Sequence, residues 1–88
     1  MVITKKLQKY KEFFAGRILA EYYPAKGLVD HYLIINLLKI DRGYVVFAAY
    51  CLNSKIVMPT LTIADNEIEQ IMKTGTFYEN NFLIFELI

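Results

Sequence analysis

Tryptophan is absent from this 88-residue chain, cysteine occurs once, proline twice and glycine four times. The single cysteine, Cys51, rules out an internal disulfide and with it the usual signature of a small secreted scaffold. One histidine and one cysteine are too few for a closed tetrahedral zinc site. Gly16, Gly27, Gly43 and Gly75 lie too far apart to cradle a phosphate, so no nucleotide cofactor is expected. The longest apolar stretches, Tyr32–Leu38 and Tyr44–Leu52, fall well short of the ~18–20 residues of a membrane helix. No apolar segment and small-residue cleavage site follow Met1–Lys6, so no signal peptide is expected and a cytoplasmic location is the default. Net charge is only +1, which draws the chain strongly toward neither anionic nor cationic partners.

What the chain has in quantity is apolar surface: 56% of its residues are hydrophobic and 15% aromatic. Such a composition excludes disorder, and the length suits one domain. Charge is uneven along the chain. Residues 1–44 carry eight basic side chains against four acidic ones, and residues 45–88 two against five. Leu7, Tyr10, Phe14, Ile18 and Tyr22 recur at helical spacing, which predicts a helix over Thr4–Tyr23, capped by Thr4 and stopped by Pro24. A shorter helix to about Ala15, with Arg17–Tyr23 as a strand, is the lesser expectation. After the turn Pro24–Gly27 the period falls to two. His31–Ile40, Tyr44–Leu52 and Ile56–Ile63 read as strands, the last confined by Pro59 to an edge or a bulge. Asp65 or Asn66 is expected to cap a short helix with the stripe Ile68, Ile71, Met72, ended by Gly75. Thr76–Tyr78 and Phe82–Leu87 follow as strands around a turn at Glu79–Asn81. The expected fold is α+β over residues 1–88: an N-terminal helix, an antiparallel three-strand meander, a short second helix and a C-terminal strand or hairpin.

The central hairpin is the informative segment. A three-residue loop Asp41–Gly43 would set Ile40 opposite Tyr44, Asn36 opposite Ala48 and Leu33 opposite Cys51. In this register both faces are apolar, whereas a sheet with one wetted face alternates apolar and polar residues. Helices on opposite faces would close the core. Helices sharing a face would leave an apolar patch for a partner, and the short second helix favours that arrangement. The symmetric partner, a homodimer, is the expectation. Ala48 and Ala49 leave room for close approach, though ordinary core packing accounts for them.

The same register puts His31 and Cys51 on one face with Asp30 beside the histidine, the chain's only grouping with the composition of a nucleophilic site. A buried structural cysteine explains it better, so no catalysis is expected. Asp65, Glu67 and Glu69 open a helix and match its dipole rather than bind a cation. Lys5, Lys6, Lys9 and Lys11, with Tyr10, Tyr22 and Tyr23 interleaved, form the candidate interaction surface. Two functional expectations follow. The first is a non-enzymatic protein–protein interaction module, cofactor-free and acting as a small inhibitor or regulator. Its Ile, Lys, Tyr, Phe and Asn richness is what AT-rich genomes and their phages encode, which suggests a host or defence protein as target. The second is a single-stranded nucleic-acid binder using the lysines for phosphates and the tyrosines for bases.

Overall fold

The computed structural model describes residues 2–88, with side chains described from Lys5 onward. The N-terminal helix α1 spans Val2–Phe14, so Thr4 lies inside it rather than capping it. Tyr10 and Phe14 are buried along its inner stripe and Leu7 packs beside them. The helix stops nine residues before Tyr23. Gly16 takes φ +77°, a left-handed conformation open to glycine at little steric expense. The Gly16 N–H then leaves the helix and donates to the Ile34 carbonyl at 3.0 Å. Strand β1 follows at Ile18–Tyr23, which corrects the long-helix expectation. The spacing Phe14, Ile18, Tyr22 misleads because a step of four satisfies the helical period and is also two steps of a strand.

The three-strand meander is likewise corrected, because the sheet has six antiparallel strands. Strands β1, β2 (Leu28–Asp41), β3 (Tyr44–Cys51) and β4 (Ile56–Ala64) form a four-strand meander. Helix α2 (Asp65–Thr74) leads to the hairpin of β5 (Thr76–Glu79) and β6 (Phe82–Leu87). Strand β6 pairs with β1, giving the order β4-β3-β2-β1-β6-β5. Asn80 and Asn81, both at positive φ, make the two-residue turn of that last hairpin.

The β2–β3 register also differs from expectation. Asp41 pairs with Tyr44, leaving a two-residue turn with Arg42 at φ 51° and Gly43 at φ 82°. Two bulges, at Ile35 and Leu38, then shift the pairing along β2. Asn36 still faces Ala48 and Leu37 faces Phe47, but Leu33 now pairs with Tyr50 and Tyr32 with Cys51. The bulges have a packing cause. Ile34, Leu37 and Ile40 are three residues apart and all pack in or against the core, which a regular strand of period two cannot arrange. On edge strand β4, Pro59 falls where the β3–β4 register breaks between Met58 and Leu61, a place that needs no ladder N–H.

Both helices lie on one face of the sheet. Tyr10 and Phe14 from α1 and Ile68 and Ile71 from α2 share a single core with Leu19, Ile34, Phe47, Ile63 and Phe85. Phe14 meets Phe47 edge to face at 5.3 Å. Asp65 does not cap α2, whose N-cap is Ala64 without a side-chain bond. Its carboxylate instead pairs with Lys6 and accepts the Tyr10 hydroxyl at 2.9 Å, joining the helices side by side. Gly75, at φ 81°, closes α2 by donating to the Ile71 carbonyl at 2.8 Å. Among the described residues no helix is long and apolar enough to cross a membrane.

Candidate interaction surface

With the helices stacked on one side, the other side of the sheet is left uncovered. Strand alternation assigns its residues. Phe47 points into the core, so its neighbours Val46 and Ala48 point away, as do Tyr44 and Tyr50. The register then carries one apolar row across four strands: Ile18 on β1, Leu33 on β2, Tyr50 on β3 and Val57 on β4. The bulges enlarge this surface. Between buried Ile34 and Leu37 stand two residues instead of one, so Ile35 and Asn36 both face outward, with Ile35 52% exposed. The second bulge adds Leu38, 47% exposed, beside Lys39. Val57 is 56% exposed at the β4 edge. The result is an apolar stretch of sheet in which Ile35, Leu38 and Val57 are exposed, Ile18, Leu33 and Tyr50 are half-buried, and Val46 is screened by its neighbours.

Polar groups also stand on this face, Thr62 opposite Val46 and Thr76 opposite Glu86 among them. His31 and Glu86 flank Ala20 on the neighbouring strands β2 and β6. The Tyr22 hydroxyl donates to Glu86 at 2.8 Å, and this bond together with burial raises the phenol above its ordinary pKa of 10.0. Lys39 and Asp41 lie 4.0 Å apart near the β2–β3 turn, both well exposed.

The candidate residues read from the sequence are dispersed. Lys5 and Lys9 are exposed on α1 and Lys11 is half-buried there, while Lys6 is bound to Asp65. Tyr10 is 2% exposed and belongs to the core, beyond the reach of a stacking base. Burial and the Asp65 carboxylate push its hydroxyl far above the ordinary tyrosine value. Tyr22 and Tyr23 sit on β1, not on the helix, and point to opposite faces of the sheet. Between α1 and α2 runs a groove of about 660 Å³, lined by Lys9, Tyr10, Phe13, Glu69, Met72 and Lys73. Of the candidate lysines Lys9 lines this groove, and none of the three tyrosines offers a free ring face beside it.

His31 and Cys51 are not brought together. Cys51 pairs with Tyr32, so it shares the helix-side face, and His31 faces the opposite way. Cys51 Sγ lies 3.8 Å from Asp30 Oδ1 instead. Nearby, the Tyr23 hydroxyl donates to Glu21 at 3.0 Å and that of Tyr32 to Asp30 at 3.4 Å. Burial raises the Glu21 carboxyl above its ordinary value, with Asp30 adding repulsion and the Tyr23 bond opposing both. A sulfur beside a carboxylate, with the imidazole on the other side of the sheet, is not the electropositive setting that a nucleophilic thiolate needs.

Comparison with protein-family models, with curated proteins and with solved structures returns no match, so the functional reading rests on the surface itself. Ile18, Ile35, Leu38 and Val57 were missing from the surface read off the sequence. The three-residue spacing of Ile34, Leu37 and Ile40 was the signal that would have exposed the bulges.

Proposed function

We propose that the chain is a non-enzymatic protein–protein interaction module that docks through the uncovered face of its sheet. The observation that carries this reading is the apolar row Ile18–Leu33–Tyr50–Val57, with Ile35 and Leu38 beside it. Water on such a surface is unfavourable by about 25 cal/mol per Å² of apolar area, which a protein partner relieves by covering it. Tyr50 and Tyr22 add the amphipathic aromatic character favoured at interfaces. A module of this kind works by occupancy, as an inhibitor or regulator of the macromolecule it covers. The separation of His31 from Cys51 supports a role without turnover.

The geometry supports nucleic-acid binding less well, because the α1 lysines and the tyrosines do not share a surface. Amine-reactive cross-linking in the native host separates the two. Lys39 stands on the open face, whereas Lys5, Lys9 and Lys11 stand on the helix side. Protein cross-links are expected through Lys39. Cross-links confined to the α1 lysines, or to nucleic acid through them, would overturn the reading.

A further inference from the structure

We propose that the occupant of the open face is a second copy of this chain, packed sheet to sheet about a two-fold axis that passes beside Asn36. This rests on the reading of that face as a docking surface. Three observations select a copy over an unrelated protein. The first is area. Strand residues spaced about 3.4 Å along and 4.8 Å across give the six-stranded face roughly 750 Å², close to the ~800 Å² per partner of a stable interface.

The second is charge. Lys39 and Asp41 lie beside one another at one end of the face, and Glu86 holds the Tyr22 hydroxyl toward the other. No single sign dominates, so the face carries no large net charge that would repel its own image. A strongly acidic or basic partner finds no complement there. The third is Asn36. It stands midway along β2, outward-facing among Ile35, Leu38 and Ala48, and among the described residues its amide has no side-chain hydrogen bond. An amide carries both donors and an acceptor, so it satisfies its own copy across a two-fold axis. A single asparagine in an apolar seam sets register and symmetry in coiled coils in the same way. The helical layers, with Lys5 and Lys9, then face outward on both sides of the dimer.

The test is light scattering across a concentration series, with far-ultraviolet circular dichroism to verify folding. The wild-type chain is expected at twice 10.3 kDa. Ile35→Lys, which changes an exposed side chain outside the core, is expected to give the folded monomer. Asn36→Asp would place two carboxylates at the axis. It is expected to weaken the dimer about tenfold or more near pH 7 and to restore it near pH 4, where the carboxyls take up protons. A dimer indifferent to Ile35→Lys overturns the inference by placing the interface elsewhere. A dimer lost in Ile35→Lys but unmoved by Asn36→Asp overturns the position of the axis. A monomer at every concentration overturns the second copy, and binding of a hydrophobic dye then separates the two readings. Dye bound by the wild type and lost in Ile35→Lys leaves the face as a docking site for another protein. No dye bound removes the docking site as well.

Discussion

Asp65 is the residue on which the helical layer turns. Its carboxylate takes both the Lys6 ammonium and the Tyr10 hydroxyl, and Lys6 also lies 5.6 Å from the Tyr10 ring centre. These contacts fix α1 against α2 at a partly exposed site, so Asp65→Ala is expected to destabilise the fold by about 1–2 kcal/mol. In a domain of this size that lowers Tm by roughly 4–8 °C per kcal/mol, readable by thermal circular dichroism. Lys6→Ala is expected to lose less, since Tyr10 keeps its acceptor. The tyrosines give the chain a second residue-level signature. Burial raises the Tyr10, Tyr23 and Tyr32 phenols, most of all Tyr10 and Tyr23, above the ordinary value of 10.0. Above about pH 10 the unfolded chain releases those protons while the folded chain retains them, so the stability they contribute is intact below that pH and falls as it is exceeded. The urea midpoint is expected to hold between about pH 8 and 9 and drop steeply beyond pH 10. A midpoint that stays level while tyrosinate absorbance rises would contradict this assignment.

At the level of elements, the passage from α1 to β1 is decided by Gly16. An L side chain at φ +77° meets the carbonyl clash of left-handed backbone, which predicts a loss of about 1–2 kcal/mol for Gly16→Ala, seen as a lower urea midpoint. Gly16→Asn is expected to lose less, because Asn80 and Asn81 already hold such conformations in the β5–β6 turn. Equal midpoints for wild type and Gly16→Ala would mean that the helix does not end there. The same stretch marks the limit of reading elements from the sequence. Reversals at Pro24–Gly27, Asp41–Gly43 and Glu79–Asn81 and a helix stop at Gly75 were legible, the two hairpin loops each one residue too long, because they follow from local backbone chemistry. The strand Ile18–Tyr23 was legible only as the lesser reading, a helix to about Ala15 and a strand over Arg17–Tyr23, since helix and strand share its spacing and its hydrogen-bond partners lie in β2 and β6, distant in sequence. Preferring the long helix misplaces the site too, because it sets Tyr22 and Tyr23 beside the lysines, and a period-two reading of β2 passes over the bulges that bring out Ile35 and Leu38.

For the whole molecule, one layer of helix over one sheet leaves a single thin core. Phe47 stands at its centre, fully buried against Phe14. Phe47→Ala is expected to remove about 3–5 kcal/mol, comparable to the total stability of a marginal domain. The variant should therefore lose its cooperative thermal transition, and a transition unchanged from the wild type would refute a core built around that contact. The sequence by itself determined that β2 and β3 are apolar on both faces, where the chain turns, and that two helices are available to cover the sheet. Which face they cover was decided only in three dimensions. Alternation along a strand is the same whether a helix lies above it or below. The path of α2 from Ala64 across the sheet to β5, and its junction with α1 through Asp65, Lys6 and Tyr10, placed both helices on one side. Those contacts join residues more than fifty positions apart, a separation at which no local pattern of side chains carries information about the pairing.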